Sequence, residues 1–375
     1  MRAGWKIKTI GDVCEIRSGR SQKEVENPNG EYPIYGSGGI MGYANDYLCE
    51  AGATIIGRKG SINNPIFVET KFWNVDTAFG FSPKENIFPK FLFYFCKGFN
   101  FQDMNKGTTI PSLVKTDLLQ IRIPIPSLPE QQRIVDILDR EFAKIDALKA
   151  NAEKSLQAAK DLFQATTDTM MSNGQWRELS IGEIAKIKGG KRVPKGYKLE
   201  KEPTAHRYIR VADFTDLGTI RTESVLYISD EVYKSIKAYT ISSKDVYISI
   251  AGTIGKSGII PDTLDGANLT ENACKLVLGP NFYNRFVFFA TKTSSFKKQV
   301  ETLTMQAAQP KLALTRLATI RVRVPSSIKE QETIVERLDG IADTIALLQD
   351  NYQKTLALCE DLKQSLLRKA FNGEL

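Results

Sequence analysis

The sequence holds one histidine, His206, in 375 residues. That scarcity excludes HExxH zinc hydrolases, a two-His zinc finger and any multi-His metal site. A His-dependent catalytic dyad would rest on His206 alone, and a structural or surface histidine is the plainer reading. The five cysteines, Cys14, Cys49, Cys96, Cys274 and Cys359, are odd in number, scattered and without a CxxC pair. They predict reduced, mostly buried thiols in a cytosol-like compartment. No run of about 18 apolar residues offers a membrane span, and the opening MRAGWKIKTIGDV lacks the apolar stretch of a signal peptide. The expectation is a cytoplasmic chain without a membrane partner. A phosphate-binding Walker loop is missing too: GTIGKS (252–257) leaves only two residues between its glycines.

What is present is ordinary for folded protein: 42% hydrophobic and 25% charged residues, enough for two or three domains with sizeable cores. The net charge of +8 is unevenly placed. Residues 128–171 carry −2 and residues 326–375 carry −3, whereas residues 1–127 carry +3 and residues 172–325 carry +10. Basic globular regions beside acidic helical ones suit a polyanionic partner such as nucleic acid.

The chain repeats itself. WKIKTIGDVCEIRSGR (5–20) matches WRELSIGEIAKIKGGK (176–191), with Trp5/Trp176, Ile10/Ile181, Gly11/Gly182, Ile16/Ile187 and Gly19/Gly190 identical and Arg20/Lys191 alike in charge. KFLFYF (90–95) matches RFVFFA (285–290), each predicting a short helix with an aromatic face. IRIPIPSLPEQQRIVDILD (121–139) matches IRVRVPSSIKEQETIVERLD (320–339). The offset grows from 171 to 200, so insertions fall in the second copy. The expected organisation is a globular region at 1–127, a long helix at 128–172, a second globular region at 173–325 and a second long helix at 326–375.

Both helical segments carry a heptad pattern. The seam is expected at Ile134, Leu138, Ile145, Leu148 and Leu162 in the first, and at Ile334, Leu338, Ile341, Ile345, Leu348, Leu362 and Leu366 in the second. Two such helices in one chain predict an antiparallel coiled coil. From Ile334 to Leu366 the seam covers 33 residues, a rod of about 50 Å at ~1.5 Å per residue.

Glycine-rich turns follow β-like runs at YPIYGSGGIMGY (32–43), IIGRKGSI (55–62) and ISIAGTIGKSGII (248–260). Glycine lets the backbone approach a ligand closely, and the adjacent cations suit phosphate or a guanine edge. A polar loop precedes each IRIPIP or IRVRVP strand: NKGTTIPSL (105–113) and TMQAAQPKL (304–312). Candidate nucleic-acid contacts are Tyr35, Ser37, Arg58, Lys59, Lys106, Thr108 and Thr109 in the first region. In the second they are Lys191, Arg192, Arg210, Thr253, Lys256, Gln306, Gln309 and Lys311. Catalytic signatures are weak. NPIF (64–67) lacks the second proline of the amino-methyltransferase tetrapeptide and reads as a strand edge, and ETK (69–71) has no upstream Pro-Asp to complete a nuclease motif. No catalytic or metal-ligating set emerges.

Taken together, the duplicated W-x-x-x-x-I-G-[DE]-[VI] openings, YPIYGSGG (32–39), IIGRKGSI (55–62), WNVDTAFGF (73–81), the junctions IPSLPEQQRIV (125–135) and VPSSIKEQETIV (324–335), and the ending LLRKAFNGEL (366–375) resemble the specificity subunit of type I restriction–modification systems. The resemblance runs over essentially the whole chain. It implies an α+β fold: two α/β globular target-recognition domains joined by two long helices in an antiparallel coiled coil, with an internal pseudo-twofold repeat. It implies a non-catalytic subunit in which each domain reads one half of a bipartite double-stranded DNA target while the coiled coil sets the spacing. It further implies two methylation subunits as partners, restriction subunits joining through them, and S-adenosylmethionine, ATP and Mg²⁺ used by those partners, with no cofactor on this chain. The copies differ: AGTIGKSG stands where the first has GRKG, and NLTENACKLVL (268–278) is only a loose match to WNVDTAFGF. Unlike domains predict an asymmetric target. The alternatives are a free-standing DNA methyltransferase or nuclease, and a coiled-coil adaptor without DNA affinity; the positive charge of the globular regions argues against the adaptor.

Overall fold

The repeated I-G-[DE]-[VI] segments are single helical turns, each closed by its own capping box. Thr9 accepts from the Asp12 amide while Asp12 accepts from the Thr9 amide (2.8 Å), and Ser180 and Glu183 repeat the arrangement. These bonds hold the Asp12 carboxyl below its usual range, chiefly through the Thr9 amide, and Glu183 below its own, chiefly through the Ser180 hydroxyl. Ile10 and Ile181, at the start of each turn, are fully buried.

The structure, a computed structural model, describes residues 4–172, 175–304 and 311–375. The chain divides into two units: Met1–Ala152 with Gln353–Leu375, and Glu153–Tyr352.

In the first unit, strand Lys6–Thr9 pairs antiparallel with Arg122–Ile125, tying the opening to the strand that leads into the long helix. A four-stranded antiparallel sheet runs in the order Cys14–Ser18, Ala78–Pro83, Ala53–Gly57, Ile66–Val68. A three-stranded sheet runs Gly39–Ala44, Tyr32–Gly36, Trp73–Asn74. NPIF therefore enters an edge strand. The second unit repeats this order. Arg177–Ser180 pairs with Arg321–Val324, and the four-stranded sheet runs Ala185–Gly189, Ala273–Leu278, Val246–Ser249, Ser257–Gly258. The three-stranded sheet runs Leu226–Ile228, His206–Ile209, Asn268–Leu269. The loose match of 268–278 to 73–81 thus has the same place in both sheets. Helix Asp230–Ile236 lies within the stretch where the offset grows.

Gly19 and Gly190 are glycine because the backbones nearly touch there: a Cβ would stand 1.8 Å from the Val75 carbonyl oxygen or 2.1 Å from that of Thr270. The aromatic segments form helices Pro89–Gly98 and Asn284–Lys292, as their spacing predicts, and bury Phe91 and Phe95, or Phe286 and Phe289. All five cysteines are free and buried.

The long helices span Leu128–Ser172 and Ile328–Asn372. Each begins with a wholly buried glutamine. Gln131 accepts from the Phe88 amide (2.8 Å) and donates to the Pro126 carbonyl (3.0 Å) and that of Asn86 (3.4 Å). Gln331 accepts from the Tyr283 amide (2.9 Å) and donates to Asn281 (3.1 Å) and Pro325 (3.2 Å). One side chain thereby joins the strand, the long helix and the start of the aromatic helix. A second clasp follows: Asp139 meets Lys90 (3.0 Å) and Tyr94, and Asp339 meets Arg285 in a two-pronged pair.

Within the first unit the two helices run antiparallel: Arg133 reaches the Leu375 carbonyl (2.7 Å), Lys363 pairs with Asp146, and Glu360 lies by Lys149. Leu367, Ala370 and Phe371 of the closing segment pack into the core, Phe371 edge-on to Phe91 and Phe95.

The seam needs a correction. Ile134, Leu138, Ile145, Leu338 and Ile345 are buried, and Ile334, Ile341 and Leu366 half-buried. Leu148 and Leu362 in the first unit are instead 55% and 49% exposed, and Leu162 and Leu348 in the second 67% and 40%. The inward positions are one residue later, at Lys149, Phe163, Gln349 and Lys363. A heptad can step 3–4 or 4–3, and counting apolar residues does not choose between them. Aromatic contacts mark the inward side of the first helix in each unit: Phe142 packs on Tyr94 (5.4 Å) and Phe163 on Phe289 (6.5 Å).

Gln131→Ala or Gln331→Ala should each destabilise the chain by about 1–3 kcal/mol, because three backbone groups, the proline carbonyl among them buried, lose their partner at once. A lowered urea midpoint is the readout; an unchanged one would mean that the joint is held by packing alone.

Candidate functional site

In the first unit three loops meet beyond the sheet ends. The turn after strand Ala53–Gly57 is pinned from two sides: the Arg58 and Lys59 amides both donate to the Thr77 carbonyl (2.8 and 3.2 Å), and the Gly60 amide donates to Pro111 (3.0 Å). The Leu113 amide returns a bond to the Arg58 carbonyl (2.9 Å). Gly60 has φ +80°, and a Cβ there would lie 3.5 Å from the Ser37 hydroxyl of the neighbouring hairpin. Asn105 shapes the third loop, its side-chain oxygen accepting from the amides of Gly107 and Ser112 (both 2.8 Å).

Ser37, Arg58, Lys59 and Lys106 are therefore brought together, with Thr108 and Thr109 exposed on the same loop as Lys106. Lys59 is exposed, and Lys106 lies 3.7 Å from Asp117 at the surface. Arg58 is half-buried over Phe79 (5.9 Å) and donates to the Asp76 carbonyl (3.3 Å). Tyr35 packs edge-on to Phe72 (5.6 Å), so its ring is partly core.

The second unit builds the same meeting place from different residues. Strand Val246–Ser249 leads into a loop whose Gly252 and Gly255 have φ +75° and +85°. The Ser249 hydroxyl donates to the Thr253 carbonyl and accepts from the Lys256 amide, folding the loop back on the strand. The Ala251 amide donates to Asn272 (3.2 Å), Leu312 donates to Ile250 (2.9 Å), Ala251 bridges to Lys311, and the Lys191 amide donates to Leu269 (2.8 Å). Lys191, Arg192, Thr253 and Lys311 are exposed around this ring of loops. Arg192 holds Glu271, Lys191 lies 5.7 Å over Tyr239, and Lys256 pairs with Asp216 (2.8 Å), which keeps that carboxyl low. Gln306 and Gln309 lie outside the described residues.

Arg210 differs from the rest. It grips fully buried Asp213 through Nη2 (2.7 Å) and Nε (3.1 Å) and caps the Ser224 carbonyl (2.7 Å), so its guanidinium is occupied internally. His206 is stacked flat on Tyr233 (3.8 Å) beside Asp230. Among the described residues no group of three or more His, Cys, Asp or Glu is placed to hold a metal ion, and no helix is long and apolar enough to cross a membrane.

Sequence reasoning missed Arg20. Its amide bonds the Asn74 carbonyl (3.0 Å) and its carbonyl receives Trp73 Nε1 (3.1 Å), so it has the place of Lys191. The aligned charges of Arg20 and Lys191 were the available signal. Also missed were the exposed apolar tips Ile40, Met41 and Ile110, which periodicity cannot separate from core residues.

A family model described as "Type I restriction modification DNA specificity domain" matches residues 2–158 and 173–356. The EcoDI specificity subunit of Escherichia coli is 23% identical over 99% of this chain and 88% of its own length. The MjaVIII specificity subunit of Methanocaldococcus jannaschii is 23% identical over 99% and 93%. A solved chain from work titled as the structural basis of complex assembly and conformational transition of the type I R-M system aligns with TM-score 0.79 at 18% identity, over 100% of this chain and 99% of the other.

Arg210→Ala should cost roughly 3 kcal/mol or more, since it leaves Asp213 buried and without its cation. Arg192→Ala, which breaks an exposed pair, should cost under about 1 kcal/mol. Urea unfolding of the two variants checks this; equal midpoints would return Arg210 to the set of free cations.

Proposed function

Because the chain belongs to the family of type I restriction–modification specificity subunits, we propose that its globular regions 1–127 and 173–325 are target-recognition domains that each read one half of a split double-stranded DNA sequence. The helices at 128–172 and 326–375 set the gap between the half-sites and carry two methylation subunits, through which restriction subunits join. Those partners supply the S-adenosylmethionine, ATP and Mg²⁺ chemistry; this chain recognises, without catalysing, in the cytoplasm. The exposed leucines Leu148, Leu162, Leu348 and Leu362 offer apolar surface for the methylation subunits.

The observation that supports the reading is the convergence, in each unit, of a glycine turn, the cationic segment after Cys14–Ser18 or Ala185–Gly189, and the end of the polar loop at Ser112–Leu113 or Lys311–Leu312. Lys59 and Lys311, exposed and without an ion pair among the described residues, suit phosphate; Ser37, Thr108, Thr109 and Thr253 suit base edges; Ile40 and Met41 suit a thymine methyl. GRKG in one unit and AGTIGKSG in the other present different groups, which favours two unlike half-sites. The coiled coil of about 50 Å, at ~3.4 Å per base pair, limits their separation to roughly 15 base pairs.

Co-expression with the methylation subunit in a host lacking adenine methylation, followed by long-read mapping of modified adenines, tests this. The expected outcome is a split asymmetric motif with a fixed gap. Turnover of DNA by the purified chain alone, given Mg²⁺ and S-adenosylmethionine, would overturn it. On the mapped target, Lys59→Ala should weaken all sequences alike and lower the salt slope by about 1. Thr109→Ala should cost about 1–3 kcal/mol and relax one position. If neither variant shifts binding, the loop assignment fails.

A further inference from the structure

The second unit contains a recess of about 510 Å³ between its two long-helix segments and the aromatic helix. The duplication explains it. Phe142 closes the equivalent space in the first unit, with its ring edge-on to Tyr94 at 5.4 Å and 8% exposed. The matching residue 200 positions later is Ala342, and the match to Tyr94 is Phe289. Losing the ring leaves Ala342 and Ile345 of one helix facing Phe163 and Thr167 of the other across open space.

The lining is not only apolar. Phe163, Phe288 and Phe289 form aromatic walls, and Lys292 enters between them, donating to the Ser257 carbonyl (3.2 Å) 5.0 Å from the Phe288 ring. The neighbouring cations have partners, Arg285 with Asp339 and Lys256 with Asp216. Among the described residues no carboxylate is within ion-pairing distance of Lys292. Burial pushes its ammonium down to about 8; Lys297 and Lys256 reinforce the shift and Asp216 opposes it. Thr167 also lines the recess, 1% exposed, its hydroxyl buried without a hydrogen-bond partner. A helical threonine ordinarily donates to the carbonyl one turn back, and an unpaired buried hydroxyl is costly. A cation without an anion and a hydroxyl without a partner share a cavity of the size that holds small ligands.

We propose that this recess binds a small amphipathic anion, an aromatic body between Phe163, Phe288 and Phe289 with a carboxylate, phosphate or sulfonate head on Lys292 and a polar atom met by Thr167. One edge of the recess, Thr253 to Lys256, belongs to a loop assigned to DNA; the contacts proposed here, on Phe163, Phe288, Phe289, Lys292 and Thr167, do not use it.

The test is fluorescence titration of the full chain, within its methylation complex, with 1-anilinonaphthalene-8-sulfonate and with the neutral N-phenyl-1-naphthylamine. One saturable sulfonate site per specificity chain is expected. Ala342→Phe, which copies the packing of the first unit, should abolish it while leaving the melting temperature unchanged or raised. Lys292→Met should weaken the sulfonate by about tenfold or more and the neutral probe far less, as loss of a charged hydrogen bond requires. Sulfonate binding that survives Ala342→Phe, or that falls equally with the neutral probe in Lys292→Met, overturns the proposal.

Discussion

The buried glutamine at the head of each long helix is the joint on which the rest depends. A helix leaves its first amides unsatisfied, and the aromatic helix that packs beside it has the same need. Gln131 and Gln331 meet that need at the aromatic helix, accepting from the Phe88 or Tyr283 amide, while the same side chain donates to the proline carbonyl after the strand. Neither a carboxylate nor a longer amine could do this, because the site requires one acceptor and two donors in a plane. The angle at which the long helix leaves each sheet is thereby set by hydrogen bonds to a buried side chain. The acidic residue two turns later, Asp139 or Asp339, secures the same helix pair from its outer side.

Much of this was legible in the repeat. Residues that survive in both copies are those with a geometric reason: Gly19 and Gly190 for backbone contact, Ile10 and Ile181 for the core, Gln131 and Gln331 for the joint. Thr9 and Ser180 differ in name yet cap alike. The coiled-coil phase was not legible, because a period of 3.5 residues is blind to a one-residue turn of the helix and the contacts that mark the inward side come from the aromatic helices. The arginine that looked free in the sequence, Arg210, was misjudged for a related reason. Its partner Asp213 is only three residues away, and a short 3₁₀ turn folds the two together.

The divergence between copies is informative in the same way. Where one unit has Phe142 and Lys363 facing each other (5.3 Å), the other has Ala342 and Phe163. The aromatic ring has moved from one helix to its partner, and the exchange conserves an anchor for each unit without conserving volume. A core that tolerates the open space left at Ala342 must recover stability elsewhere, since voids cost contact energy in proportion to their size. Helix Ser294–Thr304 stands where the first unit has only the short turn Phe101–Met104, and its added length buries Val300 as well as Phe296, the match to Phe101.

Duplication with such joints separates two demands that conflict in a single reader. The scaffold residues must stay fixed so that strand, turn and helix keep their angles. The loops must be free to change, because a base edge is read by whichever donor or acceptor stands opposite it. In both units the loop ends are held by backbone bonds, Leu113 to Arg58 in one and Leu312 to Ile250 in the other, which make no demand on side-chain identity. Side chains between those anchors can therefore be replaced without disturbing the frame. The connections 58–65 and 250–256, which hold most of GRKG and AGTIGKSG, differ in length and chemistry yet join corresponding strands. Their difference is free to follow the sequence each half must read.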